Sequence, residues 1–219
     1  MASFPIVSEN VSLERRSWHV LGASERIAAL VLLILASPAV LVSAAVIWRL
    51  SRRAPFIAHR RVGWRGSVLW MLKLRTMWTP DSPGRSAGGW IEFIRDDAGP
   101  ALKQSSDARV PNAFARFCRR HSIDELPQLW HVVRGEMLLI GPRPITRGEL
   151  RDYYGTKAEE ILQIKPGIAG LWQTSGRSRL TYRERVSLDL EFVRHRSLGM
   201  YLRILLRTLG EVWSGANAW

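Results

Sequence analysis

Residues 27–47 read IAALVLLILASPAVLVSAAVI, a run of 21 residues without a charge and almost all apolar. A fold must bury this run in a core or in lipid. As a helix it reaches roughly 30 Å at about 1.5 Å per residue, the thickness of a bilayer's hydrocarbon core. Two features argue against a straight span. Ser37-Pro38 sits at the centre, and Pro38 offers no N–H to the carbonyl of Ile34. The Ser37 hydroxyl can return a hydrogen bond to a freed carbonyl, which makes a bend tolerable in lipid. Positive charge also flanks both ends, with Arg15, Arg16 and Arg26 before the run and Arg49, Arg52, Arg53, Arg60, Arg61 and Arg65 after it. Arginines near a segment's end favour the cytoplasmic side, and here both ends qualify. The expectation is therefore a re-entrant helix–break–helix that enters and leaves one leaflet, with Ser37 and Pro38 at the break. A single span and a cleaved signal peptide are the alternatives. The latter would need an overlong apolar region. Trp18 and Trp48 stand where indole rings favour headgroups.

The rest of the chain is strongly basic, with 32 Lys+Arg against 19 Asp+Glu, and 28 of the basic residues are Arg. Arginine pairs bidentately with phosphate and carboxylate, so phosphate-bearing partners lead: nucleic acid, anionic lipid or a phosphorylated substrate. The lone cysteine, Cys118, excludes an internal disulfide framework and reads as a packed thiol.

The organisation expected is residues 1–50 as an N-terminal segment with the membrane helix, then a domain over 51–219. The fold class is α/β, helix-rich with few short strands, carrying amphipathic surface helices. Arg49–Arg65 is expected against anionic headgroups. Residues 68–78 read as a short buried strand, and 79–106 as loop enclosing a strand at WIEFI. A helix is predicted over 111–120 with Phe114 and Phe117 inward. Another is predicted over PQLWHVVR, with Pro127 first and Gly135 as stop. Further helix is predicted at 149–163 and through 181–213, where an apolar face alternates with arginines.

Against this basic field, HSIDELPQLWHVVRGEMLLIGPRP places Asp124 and Glu125 side by side. Ser122 to Glu125 fits a capping box, so both acids could simply start a helix. If the helix starts at Pro127 instead, they face its positive end. The dipole and nearby arginines would keep Asp124 ionised, which suits a nucleophile at phosphorus or a Mg2+ ligand better than a general base. GPRP sets Arg143 between two prolines of fixed φ, suited to a phosphate oxygen or to a plain turn. MLKLRTM gives Lys73, Arg75 and Thr76, and SSDAR gives Asp107 and Arg109.

The order MLKLRTM, SSDAR, HSIDELPQLWHVVRGEM, IGPRP and KPGIAGLWQTSGR resembles the bacterial sugar transferases that make polyprenyl-diphosphate sugars, the monotopic phosphoglycosyl transferases. The resemblance runs over about residues 24–209 and implies the short, minimal form. It implies transfer of a sugar-1-phosphate from a UDP-sugar to a polyprenyl phosphate, undecaprenyl phosphate above all. The route implied is a covalent phosphosugar on Asp124. Mg2+ would be held by Asp124 and Glu125, and Glu125 would assist at the metal or with a proton. Arg143 would hold the transferring phosphate, with Lys73, Arg75, Thr76 and Arg109 around it. Gln173, Gly176 and Arg177 would lie near the nucleotide. It also implies a catalytic domain on the cytoplasmic face of the bacterial inner membrane, working the first membrane step of glycan assembly. His131, Leu138 and His121 stand where the family has Asn, Ser and Thr. Both histidines read as packing or surface residues. A nucleic-acid-binding protein would account for charge and tryptophans but not for the apolar run or the acidic pair. A catalytically silent membrane scaffold is the remaining rival. No segment signals an oligomeric state or the sugar.

Overall fold

The computed structural model describes residues 6–78, 89–95, 109–176 and 180–214. Arg177, Asp107 and most of the 79–106 loop lie outside the described residues. Helix α1, Ile6–Ser51, is continuous with Pro38 inside it, so the break expected at Ser37-Pro38 is not a break in the helix. The local chemistry matches the expectation all the same. Ser37 Oγ donates to the Ile34 carbonyl at 2.8 Å, the acceptor that Pro38 leaves without an amide. That substitute bond lets the helix run through the proline.

One face of α1 is pressed along the body. Glu25, Ala29, Val40, Ser43, Ala44 and Ile47 are buried at helical spacing, and the small residues among them let other elements approach closely. Ala29 joins a core with Leu69, Leu129, Val132 and Met137. Val40, Ala44 and Ile47 join another with Leu74, Trp78, Val110 and Ala115. Fully burying a side chain such as Ile47 contributes roughly 1.5–3 kcal/mol. The outer face exposes Ile27, Leu30, Val31, Ile34, Leu35, Leu41 and Val42. Val20–Ser51 is by length and composition apolar enough to cross a membrane.

After α1, strand β1 (Phe56–Val62) pairs antiparallel with β2 (Val68–Leu74) and parallel with β3 (Ile91–Ile94), in the order β2-β1-β3. Part of the expected headgroup stretch is thus the central strand of a sheet, with Arg61 buried. Helix α2 (Ala113–Arg120) starts from Asn112, whose side chain accepts from the amide of Ala115. Phe117, expected inward, is 51 % exposed and lies against the His121 ring. A 3-10 turn (Ile123–Gln128) leads into the short helix α3 (Leu129–Val133). Arg26 Nε donates to the Val133 carbonyl at 2.9 Å, a cation on the negative end of α3. Gly135 then takes φ +72°, and the helix stops there as its sequence predicts.

Strand β4 (Leu138–Ile140) pairs in parallel with β5 (Gly167–Ala169). At this contact a Cβ on Gly141 would come within 2.9 Å of the Gly167 amide nitrogen, so GPRP and KPG meet backbone to backbone. The 149–163 helix is replaced by α4 (Arg147–Glu149), a π turn, a 3-10 turn and α5 (Ala158–Ile161). A capping box between Thr146 and Glu149 starts α4, and Gly155 at φ +48° interrupts the helical turns between α4 and α5. The long C-terminal helix divides into α6 (Tyr182–His195) and α7 (Leu198–Ser214), with Arg196 extended between them.

Candidate active site

The acidic pair does not precede a helix opened by Pro127, nor does it form the capping box. Ser122 adopts a left-handed conformation (φ 54°) and makes no side-chain cap, so the chain turns there and the 3-10 turn begins at Ile123. Asp124 and Glu125 occupy the first positions of that turn, with Pro127 inside it. Asp124 is buried at 8 % exposure. Its carboxylate acts on the Cys118 thiol, which also bonds Ser43 of α1; burial foremost, then Asp124, pushes that thiol up to about 11. Cys118 therefore stays protonated at neutral pH, a packed thiol as its sequence context predicts. The candidate nucleophile stands at the junction of α1 and α2.

Glu125 makes the closest tie in the site. Lys73 Nζ, on β2, contacts Glu125 Oε1 at 2.7 Å, with both side chains partly buried. Two residues further along, Arg75 is held by the Ala54 carbonyl at 2.7 Å and by Glu92 of β3 at 2.6 Å. Its guanidinium, 5 % exposed, serves the sheet as well as any ligand. Thr76 is buried beside it, and the Arg109 carbonyl accepts from the Trp78 amide.

Arg143 arrives from the other side of the body. The Val62 amide donates to the Ile145 carbonyl at 2.8 Å, tying the end of β1 to the chain just after Pro144. Asp189 of α6, fully enclosed, accepts from the Arg143 amide and from the Tyr154 hydroxyl at 3.0 Å. Burial raises its carboxyl to about 7. Arg143 and Arg185 both lie over the Trp172 ring, at 5.5 and 4.9 Å. Tyr182 donates its hydroxyl to Glu149, linking α6 to the α4 cap.

His59 on β1 feels the charges of several of these groups at once. Its imidazole is lowered to about 4 by burial and by the fields of Arg61, Lys73, Arg75 and Arg143. At neutral pH it is an uncharged donor and acceptor among cations. Sequence reasoning missed it because a lone histidine in a strand carries no spacing signal. Asp189, Tyr154 and Glu149 were missed for the same reason, since they act from other elements. A further omission is Glu25, whose Oε1 accepts from the Leu139 amide at 3.0 Å, the Ile140 amide at 3.4 Å and the Tyr201 hydroxyl at 2.8 Å. One buried carboxylate thereby joins α1, α7 and the strand leading into GPRP. An acid at the head of an apolar run was its only signal.

Gln173, expected near the nucleotide, lines a small cavity beside Glu125, and its amide donates to the Ile168 carbonyl at 3.2 Å. His131 is structural, as expected: Nε2 accepts from the Leu72 amide at 3.1 Å, and Nδ1 meets Glu136 at 2.6 Å. His121 Nδ1 contacts the Val212 carbonyl at 3.1 Å.

The structure thus brings Glu125 to Lys73 and sets Asp124 beside it in the chain, while His59 feels the charges of Lys73, Arg75 and Arg143 together. The profile of the family described as bacterial sugar transferase matches residues 18–215. The chain belongs to that family and is, by that membership, a transferase. It is 35 % identical over 206 residues to the exopolysaccharide production protein ExoY of Rhizobium meliloti (strain 1021), covering 91 % of this chain and 85 % of that protein. It is 39 % identical over 164 residues to the UDP-galactose-lipid carrier transferase of Erwinia amylovora, 73 % of this chain but 33 % of that protein. It is also 34 % identical to the UDP-glucose:undecaprenyl-phosphate glucose-1-phosphate transferase of Caulobacter vibrioides, over 88 % of this chain and 69 % of the relative. The chain therefore spans about a third of one of these relatives and most of the other two.

Proposed function

We propose that this protein transfers a sugar-1-phosphate from a UDP-sugar to undecaprenyl phosphate, as the names of its relatives say of them. The observation that carries the reading is the Lys73–Glu125 pair at 2.7 Å next to buried Asp124, on the face that packs against α1. An Asp124 oxygen attacks the β-phosphorus of the donor. The bond from that phosphorus to the bridging oxygen breaks, UMP leaves with the oxygen, and the phosphosugar stays on the aspartate. An oxygen of the acceptor phosphate then attacks the same phosphorus and frees the carboxylate. Two displacements let one site serve both substrates in turn.

Arg143, fixed by its prolines and by Asp189, neutralises the transferring phosphate. Lys73 holds Glu125 in place by their 2.7 Å contact, and His59 offers a neutral hydrogen bond where another cation would be repelled. Among the described residues no group of three or more His, Cys, Asp or Glu could hold a metal. Two adjacent carboxylates still suit Mg2+, which keeps waters and takes its other ligands from substrate phosphates. Asp124 and Glu125 would hold it, and it would supply charge neutralisation along the diphosphate.

The packing of α1 bears on the membrane as well. A helix pressed along the body from Glu25 to Ile47 cannot stand free across a bilayer while the body stays in water. With arginines at both ends of its apolar run, α1 lies along one leaflet with its exposed apolar face in the lipid. The catalytic face is then cytoplasmic, on the bacterial inner membrane, where the acceptor's phosphate rides at headgroup level. The test is UMP release from a panel of UDP-sugars with Mg2+ and undecaprenyl phosphate. Wild type should release UMP from one donor and carry a phosphosugar adduct, and Asp124→Asn should do neither. An active Asp124→Asn would sink the nucleophile.

A further inference from the structure

A cavity of ≈ 130 Å³ opens beside Glu125, between the 3-10 turn, β5 and the end of α7. Leu126, Leu129, Ile168, Ala169 and Val212 line most of it, with Thr208 from α7. Its other polar groups, His121, Ser122, Glu125 and Gln173, come from the 3-10 corner and from the turn after β5. A dry apolar cavity of roughly 150 Å³ holds a benzene molecule, so this volume takes five or six carbons.

Two observations say what kind of group belongs there. The wall from α7 is the inner side of a helix whose outer side exposes Leu198, Leu202, Leu206, Leu209 and Trp213 in one stripe. Val212, itself partly exposed, lines the cavity, so the apolar surface continues from that stripe to Glu125. His121 Nδ1 meets the Val212 carbonyl at 3.1 Å and holds the helix end against the 3-10 corner. A uracil ring would fit by size. Its carbonyls would both need donors from the one polar corner of the cavity, because the wall of Leu126, Leu129, Ile168, Ala169 and Val212 offers none, and an unpaired polar group there is costly.

We propose that this cavity receives the first isoprene unit of the polyprenyl phosphate acceptor, so that the lipid phosphate is presented beside Asp124 and Glu125. The inference rests on the function proposed above. A five-carbon branched unit fills the volume, and the next units follow the α7 stripe into the leaflet. The cavity then distinguishes a prenyl phosphate from the surrounding phospholipids, whose phosphate is followed by a polar glycerol.

The experiment separates donor from acceptor. The full protein in phospholipid nanodiscs is first given the UDP-sugar alone, and the burst of UMP is measured. Undecaprenyl phosphate is then titrated, with dimethylallyl phosphate or methyl phosphate as competitor. For wild type, dimethylallyl phosphate should compete at least tenfold better than methyl phosphate. Thr208→Leu, which fills the cavity, should raise the KM for undecaprenyl phosphate at least tenfold and leave the donor burst unchanged. A Thr208→Leu variant with a raised donor KM would give the cavity to the nucleotide and overturn the proposal. Equal competition by the two phosphates on wild type overturns it without any variant. No burst from wild type overturns the proposed function, and this proposal with it.

Discussion

Glu25 shows how one side chain can serve three elements. It accepts from two amides of β4 and from Tyr201 while buried at 3 % exposure. Glu25→Ala leaves three donors without an acceptor, and a buried unsatisfied group costs about 1–3 kcal/mol. The expected outcome is a loss of about 3 kcal/mol or more in denaturant unfolding, with Glu25→Gln losing about half as much. His59 gives a pH signature. Its folded pKa of about 4 lies below the ordinary histidine value of 6.5, so between these values the unfolded chain binds the extra proton. Stability rises with pH across that window, and the gain is complete above it. Thermal unfolding at pH 4.5 and 7.5 should therefore differ more for wild type than for His59→Gln. An unchanged difference would show that His59 is not held neutral. At Gly141 the reason for the residue is space, because a side chain would meet the Gly167 amide at 2.9 Å. Gly141→Ala should cost about 1–3 kcal/mol, as overpacking does, and should displace Arg143 two residues on.

At the scale of elements, α7 carries the clearest unpartnered face. Leu202, Leu206 and Leu209 are each more than half exposed, so a change there removes little folded-state packing. A triple Leu→Ser variant should keep its thermal stability and lose at least tenfold in partition to anionic liposomes, about 1.4 kcal/mol or more. Flotation through a density gradient reads this directly. The division of the C-terminal helix at Arg196-Ser197 is what gives α7 its own direction. Its inner residues Tyr201 and Ile204 pack with Phe192 and Ile140, closing the body beneath the stripe. The 3-10 turn is the second such element. Its tightness, begun by Ser122, gives two successive carboxylates different neighbours: Cys118 for Asp124 and Lys73 for Glu125.

For the whole molecule, the decisive feature is a helix of 46 residues with one face packed against the body from Glu25 to Ile47. On the single-leaflet placement proposed for α1, both flanks of its apolar run lie on one side of the membrane. In a Cys118→Ala background, Ser24→Cys and Arg49→Cys should react with an impermeant maleimide from the same face of sealed inverted vesicles. Labelling from opposite faces would make α1 a span and remove the reason for a site at headgroup level.

Much of this was legible in the chain alone. The apolar run, the Ser37 answer to Pro38, the acidic pair, the Gly135 stop and the β2 and β3 strands are local matters. Spacing, backbone freedom and side-chain chemistry over a few residues decide them, and the ordered motifs also pointed to the family. What the sequence could not decide was everything set by long-range packing. Lys73 reaches Glu125 across 52 positions, and Glu25 reaches Tyr201 across 176. No local pattern encodes such meetings. Packing also overrode local preference: Pro127 moved inside a 3-10 turn, Phe117 turned outward, and β1 was drawn from a basic stretch into a sheet. By itself the sequence determined which chemical groups the protein has and which segments must avoid water. Only the tertiary structure decided which groups share a site, because that choice depends on how distant apolar faces cover one another.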